Sequence, residues 1–260
     1  MFLLKEAGDD GNDSRCDMLI DIAIDMDKEN IVKSLPKLYK YKISESTSKK
    51  LVDYLYLQKG KENLNFVSTL LDQNGRMSVL INTAIEHGDD KLATDLAKRY
   101  GNCIELDNKS FISKLASKKN RILSDAIIKS LSAVTISGSP YPIGLHNYYD
   151  AYRDRGRDDW EKSRHYRYAD NITKYNNQCN NLLDIAIASG NQYLAQKVLT
   201  CFKEKPVFLT GSGSVIDKTA IKAPNGTWVD GSHSYLYYSN EDKKAAQKKY
   251  REAVIIGAFK

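Results

Sequence analysis

The sequence predicts a mainly helical fold, a solenoid of stacked helical hairpins with a β-hairpin-containing insertion near the C-terminus. Two observations predict it. One apolar pattern occurs three times, as MLIDIAIDMDKENIVKSLP from 18 to 36, VLINTAIEHGDDKLATDLA from 79 to 97 and NLLDIAIASGNQYLAQKVL from 181 to 199. Between 205 and 242 this pattern gives way to alternating and β-branched residues around an Asn225-Gly226 turn, which is typical of a hairpin.

Each copy of the repeated pattern predicts a short helix, a tight turn and a second helix, because its apolar residues recur at the spacing of one helix face on both sides of an interruption. A small residue occupies the same place in every copy: Ala23, Ala84 and Ala186. It lets two antiparallel helices approach closely. The interruption is Gly88 or Gly190, with Asp27 in the first copy, and these residue types tolerate the left-handed backbone that ends a helix.

This unit resembles the ankyrin repeat. NLLDIA at 181–186 corresponds to the family's Thr-Pro-Leu-His-x-Ala opening, and GNQYLAQKVL at 190–199 is similar to its continuation. The Thr-Pro pair is absent from all three copies, and Asp21, Asn82 and Asp184 stand where the family has His, so the repeats are divergent. The resemblance implies stacked units of about 33 residues that recognise another protein. A different all-helical array remains the alternative.

The spacing of the copies agrees with such a unit, because the three alanines lie 61 and 102 residues apart, close to two and three units. Weaker copies are expected in the gaps. KKLVDYLYLQKG at 49–60 would place Leu55 at the position of the small residue, and RILSDAIIKS at 121–130 would place Ala126 there.

The predicted organisation has five segments. Helical repeats span 1–136, a Tyr/Arg-rich insertion spans 137–178, and a further helical repeat spans 179–204. A β-rich hairpin insertion follows at 205–242, and a C-terminal capping helix at 243–260 turns its Lys-rich face towards water.

The Tyr/Arg-rich insertion is the candidate partner-binding segment. Seven of the 17 tyrosines lie between Tyr141 and Tyr175, and Tyr, Trp and Arg are enriched at the energetic centres of protein interfaces. Residues 141–180 carry seven basic and six acidic side chains, a balance that also suits a solvated helix with internal ion pairs. Both interpretations stay open. The candidate residues are Tyr148, Tyr149, Tyr152, Arg153, Arg155, Arg157, Trp160 and Tyr166.

No catalytic motif stands out. TGSGS at 210–214 lacks the lysine of a phosphate-binding loop, so no cofactor is expected, and the four histidines and four cysteines lack metal-ligand spacing. The alternative function is a cysteine-dependent hydrolase with Cys16 as nucleophile and His233 as base. Asp10-Gly11-Asn12 before Cys16 resembles the ovarian-tumour family of deubiquitinating proteases, but in that family the cysteine follows the asparagine directly.

Composition favours a cytoplasmic protein whose partner is another protein. The formal net charge of +6 is mild, and the charges of the insertion balance, which argues against nucleic acid as partner. No apolar run reaches the roughly 20 residues of a membrane span. The Lys-, Asn-, Ile- and Tyr-rich composition suggests an AT-rich genome, and divergent ankyrin-type proteins of intracellular bacteria often act in a host cell. The sequence therefore predicts a non-catalytic protein–protein interaction module of this effector-like kind.

Overall fold

Helices make up most of the described part of the chain, which confirms the predicted mainly helical class. The computed structural model describes residues 13–38, 43–134, 136, 158–209, 221–222, 228–229 and 235–259. The chain divides into two units. Unit 1 comprises Met1–Leu115 and Asp125–Ser130, and unit 2 comprises Ala116–Ser124 and Leu131–Lys260.

The helices of unit 1 follow one another with short connections. They are α1 (Asp13–Asp25), α2 (Glu29–Leu38), α3 (Glu45–Leu51) with its π-helical continuation Val52–Gln58, α4 (Leu64–Gln73), α5 (Met77–Glu86) and α6 (Asp90–Arg99). A 3₁₀ turn, Lys61–Asn63, precedes α4. Two further helices, α7 (Lys109–Ser117) and α8 (Arg121–Ser132), contribute residues to both units.

The described residues of unit 2 include three further helices and four short strands. Its helices are α9 (Asp158–Ala188), α10 (Gln192–Cys201) and α11 (Glu241–Ile255). Its strands are β1 (Lys205–Leu209), β2 (Ile221–Lys222), β3 (Trp228–Val229) and β4 (Tyr235–Ser239). β1 pairs antiparallel with β4, with Lys205 opposite Ser239, and β2 pairs antiparallel with β3. The predicted Asn225-Gly226 turn lies outside the described residues.

The three quoted copies end their first helices in the same way. The carbonyl oxygens of Ala23, Ala84 and Ala186 each accept the N–H five residues on, at 2.9, 2.8 and 2.8 Å. The residue just before that donor has left-handed backbone, with φ 54° at Asp27, 72° at Gly88 and 63° at Gly190. This pair of features is a Schellman turn, which satisfies carbonyls that a helix end would otherwise leave without partners. All three alanines are buried.

The same turn closes two helices that the sequence pattern did not align. Leu71 in α4 and Ala253 in α11 have carbonyl oxygens that accept the N–H five residues on, and Gly75 and Gly257 supply the left-handed backbone. Ala253 therefore occupies in α11 the place that the small residue occupies in the three copies. We call that place the anchor of a helix.

The two weaker copies differ from the sequence prediction. The left-handed residue between α7 and α8 is Lys119, with φ 50°, and Ala126 lies inside α8, so its assignment as an anchor was wrong. In the 49–60 copy the closing bond runs from the Lys59 N–H to the Tyr54 carbonyl oxygen, one residue before Leu55. The cause is the π-helical segment, which bonds each residue to the fifth preceding one and shifts the register.

In three connections a single side chain caps the second helix directly after the turn that ends the first helix. Asp89 and Asn191 each follow a left-handed glycine, and their side-chain oxygens accept the N–H of the residue three positions on, at 3.1 and 3.0 Å. Asn120 caps α8 in the same way after Lys119. Because one residue serves both helices, the connection needs almost no loop, and α5 contacts α6 as α9 contacts α10.

Side-chain bonds in unit 1 join successive hairpins at a regular separation. The hydroxyl of Tyr54 donates to Asp27 at 2.7 Å, 27 residues away, and that of Tyr56 donates to Asp89 at 3.3 Å, 33 residues away. Similar bonds tie Lys50 to Asp21, Lys61 to Asp89 and Lys114 to Glu86, at separations of 28 or 29 residues. Both tyrosines lie in the π-helical segment, so this one segment is hydrogen-bonded to the turns of two different hairpins.

The core of unit 2 lies between α9, α10 and α11. Leu183 and Ala186 of α9 are fully buried, as are Leu194 and Val198 of α10. Asn191 is buried with them, and its amide donates to the Ala116 carbonyl oxygen at 2.9 Å and the Ser124 hydroxyl at 3.2 Å. The predicted segment boundary between residues 178 and 179 falls inside α9, which is continuous there.

Within the described residues, no helix is both long enough and apolar enough to cross a membrane.

Candidate protein-binding surfaces

The predicted partner-binding residues are not brought together in the described part of the chain. Six of them, from Tyr148 to Arg157, lie outside it. Trp160 and Tyr166 lie on the backbone of α9, and the side chains of residues 158–167 are outside the described set. Their role in binding therefore stays a prediction.

The thiols of the chain lie in settings that disfavour nucleophilic chemistry. Cys16, the predicted alternative nucleophile, lies on α1 with 6% of its surface exposed, and His233 lies outside the described residues. Burial raises the pKa of Cys103 and of Cys179 to about 12, so both are protonated at neutral pH. Because the thiolate is the reactive form, these two side chains are poor nucleophiles.

None of the four cysteines is paired in a disulfide. In the parts of the chain that the structure describes, no three His, Cys, Asp or Glu side chains form a group able to hold a metal ion.

The outward face of α1 combines exposed apolar and acidic side chains. Met18 and Ile22 in α1 and Met26 just beyond its end follow one another at four-residue spacing and are 56%, 46% and 59% exposed. A parallel row of acids one position earlier comprises Asp17, Asp21 and Asp25. Methionine is flexible and polarisable, and exposed apolar rows with a polar rim are typical of interaction surfaces.

The acids of this row differ in their existing partners. Asp17 accepts the Ser44 N–H at 3.3 Å, and Asp21 forms an ion pair with Lys50 that raises the pKa of the lysine. Asp25 is exposed. The row therefore leaves negative potential beside the methionines, although one of its charges is already neutralised.

The outward face of α11 has the opposite sign. Lys244, Lys248 and Arg251 are exposed along it. The helix ends in three exposed apolar side chains, Val254 at 45%, Ile255 at 83% and Ile256 at 77%, and the last two are the most exposed of the large apolar side chains in the described residues. A solvated end cap would be polar, so this apolar end marks a surface suited to contact.

These two faces were not found from the sequence. Six of the ten exposed large apolar residues in the described part of the chain belong to α1, α11 or the residues adjoining them. A signal existed in α1, where apolar residues cover more than one face of the helix, as MLIDIAIDM shows.

Compared with protein-family models, with curated protein sequences and with solved structures, the chain has no match.

Proposed function

We propose that this chain is a non-catalytic protein-recognition module, a solenoid of helical hairpins related to the ankyrin repeat. The observation that carries the proposal is the separation of the side-chain bonds between hairpins in unit 1. Bonded residues lie 26 to 33 positions apart, as for Ile104 with Ser130 and Tyr56 with Asp89. Bonds of this separation are expected when units of about 33 residues stack in sequence, each contacting its neighbour.

The recurring helix end supports the same arrangement. A Schellman turn at a buried anchor closes α1, α4, α5, α9 and α11, so five of the described helices end with the same local geometry. Unit 2 agrees with this spacing once its β-stranded insertion is taken into account. The Asn176 amide donates to the Lys203 carbonyl oxygen, 27 residues on, and also to Asp242, which follows the β strands and lies 66 residues on.

In this proposal the hairpins are a rigid support and recognition is carried by exposed side chains. The Tyr/Arg-rich insertion is the proposed partner-contacting element, with the exposed faces of the helices beside it. The β-stranded segment at 205–242 takes the place of an enlarged hairpin between units. The proposed setting is the cytoplasm, including that of a host cell into which an intracellular bacterium delivers the protein.

Affinity capture tests the proposal. The full chain is immobilised and proteins captured from a host-cell lysate are quantified by mass spectrometry, in parallel with the triple variant Tyr152→Ala, Arg155→Ala, Trp160→Ala. The expected result is a captured protein that the triple variant loses by tenfold or more, on the scale of about 1.4 kcal/mol or more that interface centres contribute. Circular dichroism and melting temperature should be unchanged in the variant.

A second variant, Cys16→Ala with His233→Ala, serves as control and tests the hydrolase alternative. It should capture the same protein as the native chain. Loss of folding in the triple variant would assign those side chains to the interior instead. Capture of a ubiquitin-like protein that depends on Cys16 would replace the binding module with the enzyme.

A further inference from the structure

The outward face of α1 is the kind of surface on which another first helix packs. In α1, Met18 and Ile22 lie five residues and one residue before the anchor Ala23. In α5, the corresponding positions are Val79 and Thr83. In α5 these two positions are buried, at 8% and 2% exposure, and α5 packs against the preceding α3 and its π-helical continuation. In α1 the same positions are 56% and 46% exposed and larger. The side chains of α1 therefore match positions that are buried in α5, yet among the described residues they remain exposed.

The outward face of α11 offers the complementary position. Within unit 1, Lys114 of α7 lies five residues before left-handed Lys119, the same position that Ile22 of α1 holds before left-handed Asp27. The Lys114 ammonium binds Glu86, two residues after the anchor of α5, at 2.7 Å. The residue two after the anchor of α11 is Ile255, and the residue one before the anchor of α1 is Ile22. The two positions that form the Glu86–Lys114 ion pair in unit 1 are therefore both exposed isoleucines on the outward faces of α11 and α1.

We propose that α11 of one molecule packs on α1 of a second copy of this chain, with Ile255 against Ile22. The contact repeats between molecules the packing of successive first helices, so the inference rests on the repeat arrangement proposed above. Ile256 and Val254 extend the apolar contact on one side, and Met18 and Met26 on the other. Burying these side chains supplies the driving force of the contact, at about 25 cal/mol for each Å² of apolar surface removed from water.

Charge selects this pairing over the pairing of either face with itself. α1 carries four acids and one base, whereas α11 carries five bases and three acids. Two α1 faces would bring acids together, and two α11 faces would bring lysines together, each of which is unfavourable. Arg251 lies two residues before the anchor of α11. The same position is Asp21 in α1 and Asp184 in α9, so α11 carries the opposite charge there.

The contact joins two different surfaces, which has a structural consequence. Each molecule in a pair still has one unused face, so a third copy can add in the same way. Association can therefore continue beyond pairs, its mean size grows with protein concentration, and salt weakens it because part of the attraction is between exposed charges.

Sedimentation velocity of the full chain tests the inference over a concentration series reaching about 300 μM, which covers contacts with Kd of about 10–100 μM. The native chain should give a sedimentation coefficient that rises with concentration. Ile22→Asp and Ile255→Asp should each weaken association at least tenfold, and both positions are exposed enough to keep the fold. An equimolar mixture of the two variants should form dimers and nothing larger, since each retains the face that the other lacks. Ile122→Asp, at another exposed isoleucine, is the matched control and should associate like the native chain.

Three results would overturn the inference. They are a native chain that stays monomeric throughout, a mixture of the two variants that stays monomeric, or a control variant as weak as the other two. Co-sedimentation with vesicles containing anionic lipid is measured alongside. A monomeric chain that binds them through Ile255 would assign the α11 face to a membrane surface and sink the self-association. A monomeric chain that captures a partner through the insertion leaves the proposed function standing without this contact.

Discussion

Replacing Asn191 with Ala should be the most destabilising single change among the helix caps of this protein. The Asn191 side-chain oxygen accepts the Leu194 N–H and so caps α10, and its amide donates to the Ala116 carbonyl oxygen and the Ser124 hydroxyl. The residue is 2% exposed, so water cannot replace these partners. Ala would remove all three bonds at once.

The magnitude follows from the three bonds. Loss of an N-cap costs about 1 kcal/mol, and each buried hydrogen bond lost from a partner that then stays unsatisfied costs about 1 kcal/mol or somewhat more. The expected loss in the free energy of unfolding is therefore about 3 kcal/mol. For a chain of this size that corresponds to a melting temperature lower by roughly 6–12 °C.

Urea unfolding followed by far-UV circular dichroism measures this loss, with Asn120→Ala as the matched control. Asn120 caps α8 through the same side-chain oxygen but at a more exposed place, so its loss should cost about 1 kcal/mol. Equal losses from Asn191→Ala and Asn120→Ala would falsify the argument, since the buried amide would then contribute as a cap and nothing more.

Asn191→Asp separates the cap from the amide. The carboxylate keeps the acceptor for Leu194 but faces the Ala116 carbonyl oxygen without a proton to donate. Burial raises the pKa of such a carboxyl in the folded chain above its unfolded value. A group raised in this way destabilises the fold at neutral pH and recovers as the pH falls through the folded pKa. The free energy of unfolding of Asn191→Asp should therefore lie well below that of the native chain at neutral pH, and the difference should shrink in acid. A difference that grows in acid would contradict the assignment.

Three further predictions concern single positions. Gly88→Ala should cost about 1 kcal/mol, because left-handed backbone strains an L-residue, although the added methyl meets nothing within 4 Å. Gly190→Ala should cost more in the same urea assay, since its methyl would also lie 3.3 Å from a backbone carbonyl oxygen, and equal costs would count against the packing argument. The Lys61 ammonium, and then a backbone N–H, hold the pKa of Asp89 below its usual value, so this stabilisation is present above the unfolded pKa of about 3.9 and is lost as the pH falls through the folded one. The native chain should accordingly exceed Asp89→Asn in urea midpoint at neutral pH and approach it in acid, and a constant difference would refute the linkage. Iodoacetamide should label Cys179 far more slowly in the native chain than in urea, as peptide mass spectrometry can measure, because burial raises the pKa of its thiol to about 12; similar rates would contradict that burial.

The helix ends at Ala23, Ala84 and Ala186 could be predicted because their causes are local. The helical spacing of apolar residues fixes which face is buried, and a glycine or aspartate four positions after the alanine permits the left-handed residue. Both facts lie within a few residues of each other along the chain. The mainly helical class follows from the same signals.

The weaker copies could not be predicted because their turns lack that local signal. Lys119 takes left-handed backbone without being glycine, and the π-helical segment moves the closing carbonyl from Leu55 to Tyr54. Tyr54 and Tyr56 bond to acids about 30 residues away on different hairpins. Local helix propensity does not indicate the π-helical register that these long-range bonds accompany. Such positions depend on partners that are remote in sequence.

The sequence by itself determined the helical class and the places where the first helices of the three quoted copies close, since these depend on the period of the helix and on the backbone freedom of single residues. Only the tertiary structure decided which apolar side chains are covered. Ile22 and Thr83 hold the same place in their helices, yet one is exposed and the other buried, because burial depends on the neighbouring helix that packs there. Hydrophobicity is a property of a residue, whereas a surface exists only once the chain has packed.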